Sequence, residues 1–248
     1  MERSLNRLEA ARNDPDIRDV LPVMRAAWVS HLDADVRPLL SAASTYLAAH
    51  PDQWWAADFL WSARMTIADA AGAAQVYAHA DPANPDLADY LGAIASSRLE
   101  LDPRETAQQT IEQMRAHVLQ TMQLDPAPIA RLFGLTTLAQ IEALSGNRAA
   151  ALERVAEADR LLSIEEDPID GAATWSQLLF IPNLVGERAQ TLSLLNRFLA
   201  VRTSTTPQAL WCSPWIAKLR SDPEFRAIMA QRGVDVSRDP AGRPIPAP

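Results

Sequence analysis

The chain has 248 residues, of which 48% are hydrophobic and 22% charged, a composition that excludes an intrinsically disordered protein. A formal net charge of −8 has the wrong sign for binding phosphate backbones, so we expect no nucleic-acid partner. Charges interrupt every apolar stretch before it reaches the roughly 18 residues of a membrane span, and the only cysteine, Cys212, excludes an intramolecular disulfide. Because no signal peptide is visible, we expect a cytoplasmic protein, or an extracytoplasmic one if the chain is a piece of a membrane-anchored regulator.

Amphipathic helices divided by prolines are predicted along the whole chain. Glycine is scarce, with 8 residues, and most of the 18 prolines fall between runs of apolar residues at helical spacing, which favours an all-α fold. The predicted helices, in chain order, cover about 15–28, 36–49, 52–71, 87–99, 103–124, 129–145, 147–163, 171–185, 187–201, 207–219 and 222–231. The tail over 241–248 is rich in proline and predicts an extended or frayed end.

Two of the predicted helix pairs repeat with a spacing of about 40 residues. Gly146 in the first pair aligns with Gly186 in the second, and each glycine falls in the turn between its two helices. The aligned apolar positions are Leu135 with Trp175, Leu138 with Leu178, Leu152 with Leu192, Val155 with Leu195, and Ala158 with Phe198. Helix pairs of this length with short connections predict an α-solenoid.

The stretch around Gly146 resembles the tetratricopeptide repeat (TPR). The family's packing positions match Leu135, Leu138, Ala139, Gly146, Ala151, Leu152, Val155 and Ala158, and in the second copy Trp175, Leu178, Gly186, Leu192 and Leu195. The second copy departs from the family at Pro182 and Thr191. The resemblance implies antiparallel helix pairs stacked as a right-handed, TPR-like solenoid.

The C-terminal stretch is similar to the ending of TPR regions in bacterial signalling proteins, where a Pro-aromatic, Leu-Arg-x-Asp-Pro-x-Phe sequence covers the last repeat. The residues that match it include Trp211, Trp215, Leu219 and Phe225. We therefore divide the chain into divergent helix pairs over 1–125, two TPR-like repeats over 126–205, capping helices over 206–234 and a proline-rich tail over 235–248.

The resemblance also implies a binding surface. In the family register, the concave side of the two repeats carries Phe133, Thr136, Gln140, Ser176, Phe180 and Asn183. A non-enzymatic module that binds a protein segment in this groove, within a bacterial signalling or regulatory system, is the first hypothesis. No cofactor is expected, and self-association stays open. The clamp that some TPR proteins use for a C-terminal carboxylate needs lysines, and Lys218 is the only lysine, which disfavours that ligand.

A second hypothesis rests on the tryptophans of one predicted helix. Trp54, Trp55 and Trp61 cannot all face the same way, because adjacent residues diverge by about 100° around a helix. Core packing is the simpler interpretation. The functional alternative is a sensory domain whose tryptophan-rich pocket binds a small apolar molecule.

Residues that could carry catalysis or bind a metal are few. The four histidines lie far apart, with no pair at the spacing of metal ligands, so no metal site is predicted. Cys212 lies between Trp211 and Pro214 and is expected to be a buried, inert thiol. The acidic cluster Glu165-Glu166-Asp167 matches no calcium loop and is interpreted as a solvated loop. The sequence thus predicts no catalytic residue, although an enzyme of unfamiliar helical type stays a third hypothesis.

Overall fold

A computed structural model describes residues 15–81, 84, 87, 90, 92–96, 104–125, 127–168, 171–203 and 205–245. Every regular element in these ranges is a helix, and one isolated bridge joins Arg238 to Pro244. The α-helices are α1 Pro15–Arg18, α2 Leu21–Asp33, α3 Arg37–Ala49, α4 Trp54–Thr66, α5 Ala70–Val76, α6 Arg104–Leu124, α7 Pro128–Leu144, α8 Arg148–Leu161, α9 Ala172–Leu178, α10 Ile181–Leu184, α11 Arg188–Ala200, α12 Pro207–Trp211 and α13 Pro223–Gln231. A 3-10 helix covers Pro214–Ser221.

The chain forms two compact units whose boundaries differ from the predicted domains. The first unit combines Met1–Val76 with Trp211–Pro248, and the second is Tyr77–Leu210. The C-terminal segment that the sequence predicts as a cap and tail for the repeats is therefore grouped with the N-terminal helices. The predicted repeats over 126–205 lie wholly inside the second unit.

The first unit has a core in which α2, α3 and α4 meet the segment after residue 211. Buried apolar residues of these helices, among them Val23, Leu39 and Leu60, pack together with Cys212. Of the two expectations for the tail, an extended or a frayed end, fraying does not hold up to residue 245. The carbonyl of the buried Pro240 accepts a hydrogen bond of 2.9 Å from the N–H of Val36, which fixes the tail on the turn before α3.

The second unit shows the burial pattern that the 40-residue spacing predicts. Helix α7 packs against α6 and α8, and α10 packs against α11. Four of the five aligned pairs are buried in both copies: Leu135 and Trp175, Leu138 and Leu178, Val155 and Leu195, and Ala158 and Phe198. In the fifth pair Leu192 is buried and Leu152 is half-buried. The two helix pairs therefore bury the same register at four of the five predicted positions.

The two predicted turn glycines adopt the same backbone conformation. Gly146 has a φ of 80° and Gly186 a φ of 83°, in the left-handed region that residues with a Cβ rarely occupy. The residue after each glycine donates its N–H to the carbonyl oxygen five positions earlier, at 2.8 Å in both turns. The prediction of a glycine turn at both positions is confirmed.

The substitution Gly146→Val should lower the free energy of unfolding by about 1–3 kcal/mol, measured by urea denaturation. A Cβ at this position would meet nothing within 4 Å, so the cost comes from the backbone conformation alone. Gly146→Asn is the matched control and should cost less, because asparagine tolerates the left-handed region. An unchanged denaturation midpoint for the valine variant would contradict this account of the turn.

Four predicted helices are interrupted where the sequence predicts continuity. One of them, predicted over 207–219, is an α-helix up to Trp211 and a 3-10 helix from Pro214. The predicted helix over 15–28 breaks at residues 19–20 and then continues to Asp33. The predicted helix over 52–71 breaks at residues 67–69 instead of at Gly72. The Asp69 side chain accepts the Gly72 N–H at 2.9 Å and begins a new helix there. The predicted helix over 171–185 is divided between α9 and α10.

Part of the predicted helix 87–99 is described, and residues 92–96 are helical. Most of its remaining positions lie outside the described residues. The same holds for Asp102 and Pro103, which the sequence places at the start of the next helix, and for the last three residues of the tail.

Candidate functional site

We name Leu119, Leu124, Ile129 and Phe133 the apolar patch. It is the main accessible apolar feature of the described second unit. Among the described residues, the large hydrophobic side chains that remain exposed are these four and Leu32. The four lie on α6 and α7 and flank the short connection between the helices. Their exposed fractions run from 38% for Ile129 to 78% for Leu124.

The close packing of α6 on α7 supports the patch. Gly134 follows Phe133 directly, and a Cβ added to it would clash with the side chain of Met122, which would have to shift. Toward the other end of α7, Arg115 Nη1 donates to Glu142 Oε1 at 2.7 Å. The hydrogen bond from Arg115 lowers the pKa of the Glu142 carboxyl, and Asn147 Nδ2 donates to its second oxygen at 2.9 Å.

The sequence contains an indication of the two patch residues on α6, Leu119 and Leu124, which our interpretation of the sequence missed. The stripe that α6 buries includes Ala107, Ile111, Met114 and Val118. Leu119 and Leu124 lie off this stripe, so one apolar face of α6 is buried and further leucines remain outside it. Leucines on the polar side of an amphipathic helix are an indication of a second contact surface.

The structure separates the predicted concave residues of the first repeat. Phe133 is 46% exposed. Thr136 is buried, and its hydroxyl donates to the carbonyl of Leu132 at 2.9 Å. Gln140 is half-buried, and its amide nitrogen lies 3.1 Å from the position that a Cβ on Gly92 would take. Of these three side chains, Phe133 alone is exposed.

The predicted residues of the second repeat are less accessible. Phe180 is only 3% exposed, and Ser176 and Asn183 are half-buried. The interruption of the helix explains the burial of the ring. Pro182 has no N–H for the carbonyl four positions earlier, so α9 ends at Leu178, and Phe180 lies in the connection to α10. A partner reaches the Phe180 ring only if this connection rearranges.

The three tryptophans of the alternative pocket have different neighbours. Trp61 is 3% exposed, and its ring centroid lies 5.6 Å from that of Trp215. Trp55 is half-buried and lies 5.1 Å from Tyr46, and its Nε1 donates to Gln53 at 3.0 Å. Trp54 is also half-buried. These contacts belong to packing around α4.

The acidic cluster after α8 is used in part for structural ion pairs. Arg197 of α11 contacts Glu165 at 2.9 Å and Asp159 at 2.8 Å. The hydrogen bond from Arg197 lowers the pKa of the Glu165 carboxyl. Glu166 accepts the backbone N–H of Ser163 at 3.0 Å. The cluster therefore fastens the loop to α11.

Cys212 is a buried thiol that donates to the carbonyl of Ser30 at 3.4 Å. Burial raises its pKa to about 12, so the thiolate, which is the nucleophilic form, is scarce at neutral pH. Burial lowers the pKa of His31. Among the described residues, no group of three or more potential ligands could hold a metal ion. None of the described helices has the length and apolar character of a membrane span.

In comparisons with protein-family models, curated proteins and solved structures, nothing matches this chain. Its resemblance to the tetratricopeptide family consequently rests on the residues and turns described above.

Proposed function

We propose that this chain is a helical-repeat module that binds a segment of another protein, within a bacterial signalling or regulatory system, and performs no chemistry of its own. The observation that carries the proposal is the apolar patch. Four of the five exposed large hydrophobic side chains among the described residues fall within residues 119–133. Exposed apolar side chains grouped around one helix connection are a feature of protein-binding sites.

The shape of the patch favours a segment with an apolar face. Phe133 and Ile129 are one helical turn apart on α7, and Leu119 and Leu124 add side chains from α6. Two adjacent helices that present apolar side chains offer the kind of surface on which an amphipathic helix or extended segment docks. An aromatic ring at such a surface is a frequent energetic anchor. We therefore centre the binding site on Phe133, while Gln140, Ser176 and Asn183 remain predicted contacts at its margin.

The regulatory context rests on the C-terminal sequence. The stretch from Trp211 to Phe225 resembles the ending of TPR regions in bacterial signalling proteins, which supports a similar setting for this chain. Helical-repeat regions of that kind contribute binding surfaces to larger regulatory systems. The proposal places the binding surface in the second unit.

The test is quantitative capture from a bacterial lysate on the immobilised full chain, followed by identification of the retained proteins. Phe133→Ala should weaken the capture of a specific partner by about tenfold or more, as expected for an aromatic anchor. Leu32→Ala is the matched control, because Leu32 is 53% exposed but lies in the first unit. Both variants should keep their stability within about 0.5 kcal/mol, since neither side chain is buried.

Capture that is insensitive to Phe133→Ala, or equally sensitive to Leu32→Ala, would contradict the proposal. Light scattering on the purified chain supplies a second test. If the parent chain forms dimers that Phe133→Ala dissociates, the patch binds another copy of this chain. The proposal that it binds a different protein is then wrong.

A further inference from the structure

A groove of about 480 Å³ lies between the first helices of the first unit. We call it the arginine groove, after two of the residues that line it. The described lining residues are Arg18, Leu21, Pro22, Arg25, Ala26 and Val29 on α1 and α2, with Pro38 and Ala42 on α3. It belongs to a different unit from the apolar patch.

The spacing of the sequence builds one long wall of this groove. On α2 the lining positions recur with helical spacing from Leu21 to Val29 and share one face of that helix, and Arg18 precedes them on α1. Pro22 and Pro38 lie in the first turns of α2 and α3, where the missing N–H is tolerated and no backbone donor is added. Alanines at the remaining helix positions leave space that larger side chains would fill.

The described lining residues of the groove combine two guanidinium groups with apolar side chains. The only charged side chains among its described lining residues are the two arginines. Arg18 contacts Asp19 at 3.4 Å, with both side chains more than half exposed, and an exposed pair of this kind contributes little. Arg25 is also exposed and brings a second guanidinium to the same groove. The two arginines of the groove contrast with the net charge of −8 of the whole chain.

We propose that the arginine groove binds a small aliphatic acid, with the acidic group at Arg18 and Arg25 and the hydrocarbon part against the apolar wall. A guanidinium pairs with a carboxylate or phosphate through two parallel hydrogen bonds. The apolar side chains between and beyond the arginines supply contact for a hydrocarbon but no hydrogen-bond partner. The volume falls within the usual range for small-ligand sites.

This site differs from the tryptophan pocket that the sequence suggests. Trp54, Trp55 and Trp61 are not among the described residues that line the groove. The ligand class also differs, because the paired arginines select an anionic head group where the tryptophans suggested a purely apolar molecule. The proposal is independent of the protein-binding patch in the second unit.

The experiment uses isothermal titration calorimetry on the full chain with sodium decanoate, below the concentration at which decanoate forms micelles. Decanol tests the hydrocarbon alone, acetate tests the charge alone, and decyl phosphate distinguishes a phosphate from a carboxylate head group. We expect saturable binding of decanoate at one site, with decanol and acetate each at least about tenfold weaker. Equal affinities for decanoate and decanol would overturn the proposal. The absence of binding by both decanoate and decyl phosphate would also overturn it. A decyl phosphate that binds while decanoate does not assigns the acid as a phosphate.

Variants then locate the binding site. Arg18→Gln and Arg25→Gln should each weaken decanoate binding about tenfold, and Val29→Phe should block it by filling the groove. Arg232→Gln is the matched control, because Arg232 is an exposed arginine of the same unit outside the groove. Circular dichroism of each variant verifies that it is folded. If a variant is not folded, the comparison of ligands on the parent chain decides the proposal.

Three results would overturn the assignment. The first is unchanged decanoate affinity in both arginine variants, and the second is an equal loss in Arg232→Gln. The third is a change in the mass of the chain in solution when the arginines are replaced, which would assign the groove to self-association. Phe133→Ala should leave decanoate affinity unchanged, so failure of this proposal and failure of the protein-binding proposal are distinguishable.

Discussion

A chain that ends at residue 206 should fail to fold its first unit. The segment after residue 210 contributes large side chains that are buried in that unit: Trp211, Ile216, Leu219, Phe225 and Met229. Burial of each stabilises the fold by about 1.5–3 kcal/mol, so their combined loss reaches the whole stability of a typical domain, about 5–15 kcal/mol. Thr66 also loses the carbonyl of Cys212, to which its hydroxyl donates at 2.5 Å.

Hydrogen exchange on the truncated chain identifies the part that unfolds. We expect protection to be lost in α2, α3 and α4 and retained in α7 and α8. The sequence suggests a different outcome, in which removal of a cap exposes the helices over 171–201 and causes aggregation. Loss of protection confined to 171–201 would support that cap and contradict our assignment of the segment to the first unit.

A shorter truncation after residue 234 separates the tail from the helices. The sequence suggests that the chain beyond about residue 235 is dispensable. The structure instead predicts a loss of about 1–3 kcal/mol, because the N–H of the buried Val36 loses the carbonyl of Pro240. Arg243 also donates to the carbonyl of Ile67 at 2.9 Å. Thermal unfolding at matched concentration measures the difference, and an unchanged midpoint would mean that the tail adds nothing.

Local patterns predicted the helices and turns because their causes are local. The 40-residue spacing identifies Gly146 and Gly186 as turn glycines, and both have the left-handed backbone that makes glycine necessary. The sequence predicts the helix end at Gly72, because glycine is the weakest helix former of this stretch, whereas the break lies near residue 68. An aspartate that caps the next helix outweighs a glycine inside it, and Asp69 provides that cap.

The surfaces were harder to predict because exposure depends on contacts distant in sequence. Phe180 has the family spacing of a groove residue, yet the proline two positions later ends the helix and the ring is buried. Trp211 and Phe225 read as a cap for the neighbouring repeats, whereas their unit is completed by helices some 150 residues earlier. No periodicity in one sequence encodes which of two surfaces such a segment covers.

Arg220 is the side chain whose replacement alone should have the largest effect on stability. It is 6% exposed, and its guanidinium donates to three backbone carbonyls. Nε contacts Trp211 at 3.0 Å, Nη2 contacts Ser213 at 2.9 Å, and Nη1 contacts Thr66. Burial lowers the pKa of Arg220 to about 10, which still leaves the side chain charged at neutral pH.

The contacts around Arg220 account for the residue pattern of the C-terminal sequence. Leu219 is buried beside Arg220, the Asp222 side chain accepts the N–H groups of Glu224 and Phe225 at the start of α13, and the Phe225 ring stacks on Trp211. The arginine joins three separate carbonyls: one at the end of α4, one at the end of α12 and one just before the 3-10 helix. One guanidinium therefore holds together segments that are 154 residues apart in the chain.

Arg220→Met should lower the free energy of unfolding by about 3–5 kcal/mol, since it leaves three carbonyl groups without their donor. Arg220→Lys should recover only a small part, because one ammonium cannot reproduce the planar fork that meets all three acceptors. Lys218→Met is the matched control on the same 3-10 helix, and its exposed side chain should change stability by less than about 0.5 kcal/mol. Urea denaturation followed by circular dichroism measures all three. If Arg220→Met and Lys218→Met give equal midpoints, the three carbonyls do not depend on the arginine, and the integrity of the first unit must come from apolar packing alone.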